Sequence, residues 1–446
     1  EVGDVPAFEP VTKFNASIDD VNRFPDMLEQ AYREAVSGCP GPVHLQFQGN
    51  EGQVDLGEAD LEQRTDMRFT SVPPFRPQGE EGDILATLDI LQKSKKPVII
   101  SGGGVKYSKA SAALTQFAEG LNIPVATSLN GKDTFLANHP LAAGVVGTYS
   151  RGSANQIVKN ADTVCFIGTK TGGMTTHFWN IPEVGIPAIQ IDIDPAEIGR
   201  NYPLKASIQG DALTVLEKML TLMDTSTGKN RENWVKECNL IVSNWYSDFD
   251  TLLKSDNVPI RPERLCSELT KLVPSDSLIV VDTGHAGMWM GGMFDITSPS
   301  QDYIRSAGHL GWAFPAALGA KCALPQRPVV CFTGDAGFWY HIAEIETAVR
   351  WNINSIIVVN NNSAGNQSKT GFDRAYGGTQ TEEAKKMWNF TKVNFANIAN
   401  EIGALGLRVE KAGQFGGALD QALEAKRPVI IDVVTDVDAI APAAVS

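Results

Sequence analysis

Long hydrophobic runs are absent from this sequence. No apolar stretch reaches the roughly 18 residues that a membrane-spanning helix needs, so we expect no insertion into a bilayer. The first residues, Glu1-Val2-Gly3-Asp4, provide neither a basic region nor an apolar core, so we expect no secretory signal. These two absences predict a cytoplasmic protein.

Basic clusters and paired cysteines are also missing. The net charge is −14 and no Lys/Arg-rich face is visible, which argues against a duplex-binding protein. The six cysteines form no C-x-x-C pair, so zinc-finger spacing is excluded. Cys165 and Cys331 lie in apolar runs, and we expect them to pack in the core. An anionic ligand would therefore bind through backbone amides and a bridging cation.

Apolar, strand-like runs alternate with helical patterns along most of the chain. This alternation predicts an α/β protein with doubly wound parallel sheets. A helix is expected over 21–36 and a strand over 41–47. The other predicted strands are 97–100, 124–127, 163–167, 188–191, 277–281, 328–332, 355–359 and 428–432.

The same pattern predicts three α/β blocks joined by two linkers. Residues 1–55 hold one helix and one strand, too little to bury a core, so they are expected to be the remnant of a domain. A Pro/Gly/Glu-rich linker over 56–82 and a helical linker over 225–259 separate the other two blocks. These blocks are a central Rossmann-like domain, 83–224, and a third domain, 260–446.

The stretch that carries most chemical information is 328–364. One predicted strand ends in Gly334-Asp335-Ala336-Gly337, a helical pattern covers 338–351, and the next strand ends in Asn360-Asn361-Asn362. A right-handed β-α-β crossover would place Asp335 and Asn362 at the carboxyl ends of neighbouring strands, where such sheets bind ligands. Either piece alone would also suit a tight turn or a polar loop.

Together, the two pieces predict a diphosphate held by magnesium. Mg²⁺ prefers oxygen ligands and needs few from the protein when phosphates supply others. Asp335, Asn362 and the main-chain carbonyl of Ala364 are the predicted metal ligands. Gly334 and Gly337 would let the backbone approach the phosphates.

A Gly-Asp turn followed by paired asparagines, with 27 positions from Asp335 to Asn362, resembles the thiamine-diphosphate enzymes. Ala336 replaces the usual second glycine of that turn. Nearly the whole chain is similar to the acetolactate synthase branch, in the order end of the pyrimidine-binding domain, central domain, diphosphate- and magnesium-binding domain. The resemblance implies thiamine diphosphate and Mg²⁺ as cofactors. It also implies a homodimer or homotetramer with its active site at the subunit interface.

Individual cofactor contacts follow from the resemblance. Leu310 falls where an aliphatic side chain bends the cofactor, and the carbonyl of Gly308 falls where the aminopyrimidine donates. His285 could contact a phosphate or the substrate, whereas a role for His309 or His341 is a weaker suggestion. The full set of implied contacts is Gly284, His285, Ala286, Gly308, Leu310, Gly334, Asp335, Ala336, Gly337, Asn362, Ala364 and Gly365.

The central block resembles the flavin-binding part of acetolactate synthases at some positions. The positions that match are Gly102, Gly103, Gly104, Thr127, Gly168, Asp192 and Asp211. Thr169-Lys170-Thr171 stands where the family has an arginine and acidic residues, so FAD and a pocket that is empty or holds another nucleotide remain open. A nicotinamide-dependent oxidoreductase is another alternative, although no G-x-G-x-x-G follows the strand.

The resemblance implies decarboxylation of a 2-oxo acid such as pyruvate, with carboligation of the resulting enamine. A 2-oxo acid decarboxylase and a diketone C–C hydrolase remain alternatives, because residues 363–370 depart from the acetolactate synthase pattern. The family's general-base glutamate lies in the first half of the pyrimidine domain, and no glutamate here can be assigned that role. The expected explanations are a fragment, a separate chain, or a cofactor-binding subunit without activity.

Overall fold

The computed structural model describes residues 3–47 and 66–442. Parts of the predicted remnant and of the first linker, 48–65, lie outside the described residues. The strands are β1 Phe14–Ile18, β2 Val43–Phe47, β3 Pro97–Ser101, β4 Val125–Thr127, β5 Ala142–Val145, β6 Thr163–Ile167, β7 Ala188–Asp192, β8 Leu204–Gln209, β9 Leu278–Val281, β10 Asp302–Arg305, β11 Val329–Gly334, β12 Ile356–Asn361, β13 Leu405–Val409 and β14 Val429–Val434.

Helices flank these strands throughout the described part of the chain. They are α1 Asp4–Phe8, α2 Phe24–Val36, α3 Glu81–Lys93, α4 Gly103–Tyr107, α5 Ser111–Leu121, α6 Gly152–Asn160, α7 Gly173–Thr176, α8 Ala212–Leu222, α9 Glu232–Leu253, α10 Pro262–Leu272, α11 His285–Met293, α12 Ala313–Ala323, α13 Asp335–Tyr340, α14 Glu344–Arg350, α15 Asn366–Ala375, α16 Glu382–Lys386, α17 Phe395–Ile402 and α18 Phe415–Glu424. None of them is both long enough and apolar enough to cross a membrane.

Two six-stranded parallel sheets form the framework. The central sheet has the order β5-β4-β3-β6-β7-β8, and the C-terminal sheet has the order β10-β9-β11-β12-β14-β13. Along β9, Ile279 and Val281 pack in one hydrophobic core while Leu278 and Val280 pack in another. The strand side chains therefore alternate between two buried faces, which confirms the predicted doubly wound α/β class.

All the inner strands of both sheets were expected from the sequence, but all the edge strands were missed. The missed edges are β5, β8, β10 and β13. Most residues of β8 and β13 are partly exposed, so these strands lack the continuous apolar run that marks a strand buried on both faces. The prediction of a single helix over 338–351 was also wrong, because α13 ends at Tyr340 and α14 begins at Glu344.

The N-terminal part and the second linker pack differently from the two sheets. β1 and β2 form a separate parallel pair, whose main companion is α2. The predicted helical linker contains α9, whose Trp234 packs in a core of the central sheet and whose Trp245 packs in a core of the C-terminal sheet. Cys165 and Cys331 are fully buried, as predicted, and all six cysteines are free thiols.

Candidate functional site

The candidate site lies at the carboxyl ends of four neighbouring strands in the C-terminal sheet. The order β10-β9-β11-β12 is uninterrupted and parallel. Ser306 follows β10, Asp282 follows β9, Asp335 follows β11 and Asn362 follows β12. Asp335 and Asn362 therefore follow neighbouring parallel strands, as the sequence predicted, and the carboxyl ends of these strands form the candidate site.

Asp335 and Asn362 meet at the backbone of Ala364. One Asp335 carboxylate oxygen accepts from the Ala364 N–H at 3.1 Å, and the Asn362 amide oxygen accepts from the same N–H at 3.1 Å. The other Asp335 oxygen accepts from the Ala336 N–H at 2.7 Å. The three predicted metal ligands are thus adjacent, although the group seen between the two side chains is the amide of Ala364 rather than its carbonyl.

The Asp335 carboxylate is buried without a cationic partner. Its side chain is 3% exposed, and no ion pair with a described Lys, Arg or His compensates it. Burial raises the pKa of Asp335 to about 7. A divalent cation would supply the missing charge and favour the ionised form, so this donor fits a magnesium ion.

The site is not a cluster of carboxylates or imidazoles. Within residues 3–47 and 66–442, no group of three or more His, Cys, Asp or Glu side chains is placed to hold a metal ion. The predicted site supplies one carboxylate, one amide oxygen and backbone. Such a sparse donor set suits a metal whose remaining ligands come from a bound phosphate.

The turn around Asp335 needs one of its glycines for close packing. A Cβ on Gly337 would lie 2.7 Å from a carboxylate oxygen of Asp282 and 2.9 Å from the hydroxyl of Thr333. A Cβ on Gly334 would meet nothing within 4 Å, so that glycine leaves open space beside the turn. Ala336 lies between them and is half-buried.

His285 begins α11 beside this turn, with an unsatisfied ring nitrogen. Its Nδ1 is buried and has no hydrogen-bond partner among the described groups. Burial lowers the pKa of His285 to about 4, with the positive charge of Lys369 adding to the effect, so the ring is neutral near pH 7. Gly284 before it has φ +65° and Ala286 after it is buried. An orphaned nitrogen at a helix start fits a ligand oxygen.

The segment predicted to bend the cofactor lies next to α13. Gly308 and Gly311 have φ values of +123° and +90°, and Leu310 between them is half-buried. A Cβ on Gly311 would lie 2.8 Å from Cβ of Tyr340 and 3.0 Å from a ring carbon of His341. His309 is exposed, whereas His341 lies at the bend that separates α13 from α14.

Asp282 is a further buried residue of this site, and the predicted contacts do not include it. It follows β9 directly and is 0% exposed. Its position after a buried strand was visible in the sequence, but its donor Gly311 lies in the segment after β10 and its donor Thr333 lies on β11.

A cavity of about 800 Å³ lies at the carboxyl edge of the central sheet. Five of the predicted flavin positions line it, namely Gly103, Gly104, Gly168, Asp192 and Asp211. It extends to the C-terminal sheet, where Tyr303, Arg305 and Ala307 also line it. The cavity is large enough for a cofactor-sized ligand and reaches the segment that contains Leu310.

The other two predicted flavin positions do not line this cavity. A Cβ on Gly102 would lie 2.2 Å from the carbonyl oxygen of Gly168, so Gly102 is required by backbone packing between the ends of β3 and β6. Thr127 lines a separate small cavity with Lys132 and Arg151. Gly102 therefore has a structural role that is independent of any nucleotide.

The two acidic positions differ in how much of their hydrogen bonding is already used. Asp211 accepts from Arg76 at 2.9 Å, from the Ser108 hydroxyl at 2.7 Å and from the Thr214 N–H at 3.3 Å. Asp192 accepts from the Asp194 N–H at 3.0 Å, and burial raises its pKa. Asp192 is therefore the better placed of the two to receive a ligand hydroxyl.

Two family descriptions match the chain, one for each six-stranded sheet. Residues 84–219 match the thiamine pyrophosphate enzyme, central domain. Residues 282–433 match the thiamine pyrophosphate enzyme, C-terminal TPP binding domain. The second range holds every residue of the candidate metal site.

Curated relatives align over nearly the full chain. A probable acetolactate synthase large subunit of Methanococcus aeolicus is 30% identical over 98% of this chain and 74% of its own length. The protein with the same description from Methanocaldococcus jannaschii is 31% identical over 98% and 73%. A glyoxylate carboligase of Escherichia coli O157:H7 is 29% identical over 96% and 73%.

Proposed function

This chain belongs to the thiamine-diphosphate-dependent enzymes, in the branch that resembles acetolactate synthase large subunits, and from that premise we propose that it decarboxylates a 2-oxo acid and ligates the product to a second carbonyl compound. The observation that carries the proposal is the buried Asp335 carboxylate beside Asn362 at the strand ends. Pyruvate is the proposed substrate, since the relatives include acetolactate synthases. Family membership does not support the nicotinamide alternative.

We propose that Asp335, Asn362 and the backbone of Ala364 hold Mg²⁺, which in turn holds the diphosphate. Gly284, His285 and Ala286 at the start of α11, with Gly334, Ala336, Gly337 and Gly365, would contact the diphosphate through backbone N–H groups and the His285 ring. When bound, thiamine diphosphate supplies the nucleophilic carbon and the electron sink for the reaction. The protein contributes binding, orientation and exclusion of water.

Leu310 and Gly308 are proposed to set the bent shape of the cofactor. Leu310 is half-buried and flanked by glycines in left-handed conformations, so the backbone can turn its side chain towards the site. The Gly308 carbonyl would accept from the aminopyrimidine. Holding the two rings together would be catalysis by proximity.

FAD is proposed as a ligand of the 800 Å³ cavity. The size of the cavity and the five lining positions support this, whereas the structural role of Gly102 and the satisfied Asp211 do not add to it. An absorption spectrum of the purified protein tests the proposal. Flavin bands that persist after gel filtration support FAD, and their absence after incubation with excess FAD argues against it.

A homodimer or homotetramer is also proposed. Trp339 and Tyr340 are exposed at 41% and 68%, and Tyr340 lies beside Gly311 at the candidate site. Large exposed aromatic side chains are enriched at subunit interfaces. Light scattering after gel filtration should give a dimer or tetramer for the wild type and a smaller species for Tyr340→Glu.

The activity is tested by supplying the full-length protein with thiamine diphosphate, MgCl₂ and pyruvate. Two pyruvate molecules should yield one acetolactate and one CO₂. Acetaldehyde in place of acetolactate would identify a decarboxylase, and turnover with glyoxylate or a diketone but not pyruvate would change the substrate. Tight cofactor binding without turnover of any of these would favour a cofactor-binding subunit that lacks its base.

A further inference from the structure

Asp282 is a carboxylate buried at the centre of the candidate site. It follows β9, which lies between β10 and β11 in the C-terminal sheet. It is 0% exposed, no described Lys or Arg forms an ion pair with it, and His309 is the described residue whose positive charge would favour its ionised form. Such a group is costly to bury, so its hydrogen bonds must provide a compensating stabilisation.

The carboxylate of Asp282 joins three strand-end segments. Both of its oxygens accept from the Gly311 N–H at 3.1 Å, and one also accepts from the Thr333 hydroxyl at 2.9 Å. The other accepts from the Thr283 N–H at 2.8 Å. It also touches Gly337, where a Cβ would come within 2.7 Å of it.

The segment from Ser306 to Gly311 is attached to the end of β9 at both of its ends. The Ser306 N–H donates to the carbonyl of Val281 at 2.9 Å, and the Gly311 N–H donates to the Asp282 carboxylate. Leu310 lies directly before the second attachment. Within the segment the Ser306 hydroxyl donates to the His309 carbonyl, and Gly308 and Gly311 both take left-handed conformations. The chain is therefore held just before Leu310 from within the segment, and just after Leu310 by the bond between the Gly311 N–H and Asp282.

We infer that Asp282 is a positioning residue that fixes, through the Gly311 N–H, where Leu310 and the Gly308 carbonyl are presented to the cofactor. This inference rests on the proposed function of the site. Asp282 does not itself need to touch the cofactor. Its contacts with Thr333 and Gly337 place the same carboxylate against the turn that carries Asp335, so one side chain relates the ring-binding segment to the metal-binding turn.

The simpler alternative is that Asp282 satisfies buried amides and stabilises the fold without any preference for one part of the ligand. The two ideas differ in which part of the cofactor loses affinity when the carboxylate is changed. A positioning role predicts weaker binding of the whole cofactor with little change for its diphosphate part. A general structural role predicts equal losses or none.

The test measures two ligands by calorimetry on the full-length protein, each with MgCl₂: thiamine diphosphate and inorganic diphosphate. In Asp282→Asn an NH₂ group replaces one of the two oxygens. In either orientation it faces the Gly311 N–H, and it also faces the Thr283 N–H or the Thr333 hydroxyl, so at least one donor loses its acceptor. We expect the Kd for thiamine diphosphate to rise on the order of tenfold. The Kd for inorganic diphosphate should stay within about twofold.

Asp302→Asn is the matched control. Asp302 is at the amino-terminal end of β10, away from the carboxyl ends of the strands, and pairs with Arg327 at 2.5 Å. Both affinities of Asp302→Asn should therefore match those of the wild type. Adding Leu310→Ala to Asp282→Asn should lower kcat less than Leu310→Ala does alone, because both changes act on the position of the same side chain.

Equal losses for both ligands, or no loss for either, would overturn the positioning role while leaving the proposed function intact. A wild type that binds neither ligand would overturn the proposed function and this inference with it. If Asp282→Asn does not fold, the same two affinities are measured for Thr333→Val. This variant removes the hydroxyl that donates to Asp282 and keeps the Asp282 carboxylate. A loss confined to thiamine diphosphate then supports the role, and equal or absent losses reject it.

Discussion

The side chains of Asp335 and Asn362 accept hydrogen bonds from one backbone amide, that of Ala364, at 3.1 Å each. The two residues are 27 positions apart in sequence and follow neighbouring parallel strands. Because both oxygens are directed at one point, their arrangement fits the proposed role as two ligands of a single cation. The two hydrogen bonds from the Ala364 N–H hold this arrangement.

Replacing Asp335 by alanine should abolish magnesium-dependent binding of thiamine diphosphate. The carboxylate is the one charged oxygen donor of the predicted metal set, and we expect the Kd to rise roughly 100-fold, which corresponds to about 2.8 kcal/mol. Removing a buried group whose pKa is raised to about 7 should not lower stability strongly. Calorimetry with and without MgCl₂ measures the affinity, and circular dichroism measures the fold.

Asp276→Ala is a suitable control for that experiment. Asp276 is exposed and lies just before β9, at the opposite edge of the sheet. Its replacement should leave cofactor affinity unchanged. Equal affinity of wild type and Asp335→Ala would show that the metal assignment is wrong.

Leu310→Ala should lower turnover much more than cofactor affinity. If Leu310 bends the cofactor, its loss misaligns the reacting groups, so kcat should fall roughly tenfold or more. The diphosphate and the Gly308 carbonyl contact remain, unlike in Asp282→Asn, so the Kd should change by less than about threefold. Leu324→Ala, at the far end of α12, removes the same atoms away from the site. If Leu310→Ala raises the Kd by as large a factor as it lowers kcat, or changes neither, the bending role is contradicted.

The sequence predicted the inner strands because they are buried on both faces. Residues such as Val280 and Cys331 belong to continuous apolar runs, and these runs identify strands without any alternation. The edge strand β13 has four half-buried residues in a row, with Arg408 among them, so its pattern is not distinct from that of a loop. The end of α13 at Tyr340 could not be predicted, because this residue packs against Gly311. Gly311 belongs to a segment that lies 29 residues earlier in the sequence.

Site residues could be predicted where type and spacing were informative, as for Asp335 and Asn362. Contacts between distant segments could not. Gly102 matches a flavin-binding position only by resemblance, and its nearest neighbour is the backbone of Gly168. The contacts of Asp282 could not be predicted from its neighbours in sequence, because its partners Gly311 and Thr333 are 29 and 51 residues away.

Stability should depend on pH through Lys132. Its amino group is buried between the two sheets, donates to the Gly291 carbonyl at 3.0 Å, and has a pKa lowered to about 7, mainly by burial and then by Arg151. The unfolded chain therefore binds more protons than the folded one between about pH 7 and pH 10, and wild-type stability should rise with pH by about 1.4 kcal/mol per unit from this group.

Lys132→Met isolates this contribution, because it removes the titrating group at similar length. The free energy of unfolding of wild type minus that of the variant, from urea titrations at pH 6 to pH 9, should be flat below about pH 7 and rise above it. Arg151 and Asp295 remain charged in both proteins over this range and cancel in the difference. A flat difference across the whole range would show that Lys132 titrates normally.

Gly102 and Gly103 should respond differently to the same substitution. A Cβ on Gly102 would lie 2.2 Å from the Gly168 carbonyl oxygen, whereas a Cβ on Gly103 would find its nearest neighbour, the Asn130 carbonyl oxygen, at 3.8 Å. Gly102→Ala should therefore destabilise by about 2 kcal/mol, and Gly103→Ala by less than about 0.5 kcal/mol. Urea unfolding measures both. Equal losses of stability in the two variants would show that the contact between the ends of β3 and β6 does not explain the glycine at position 102.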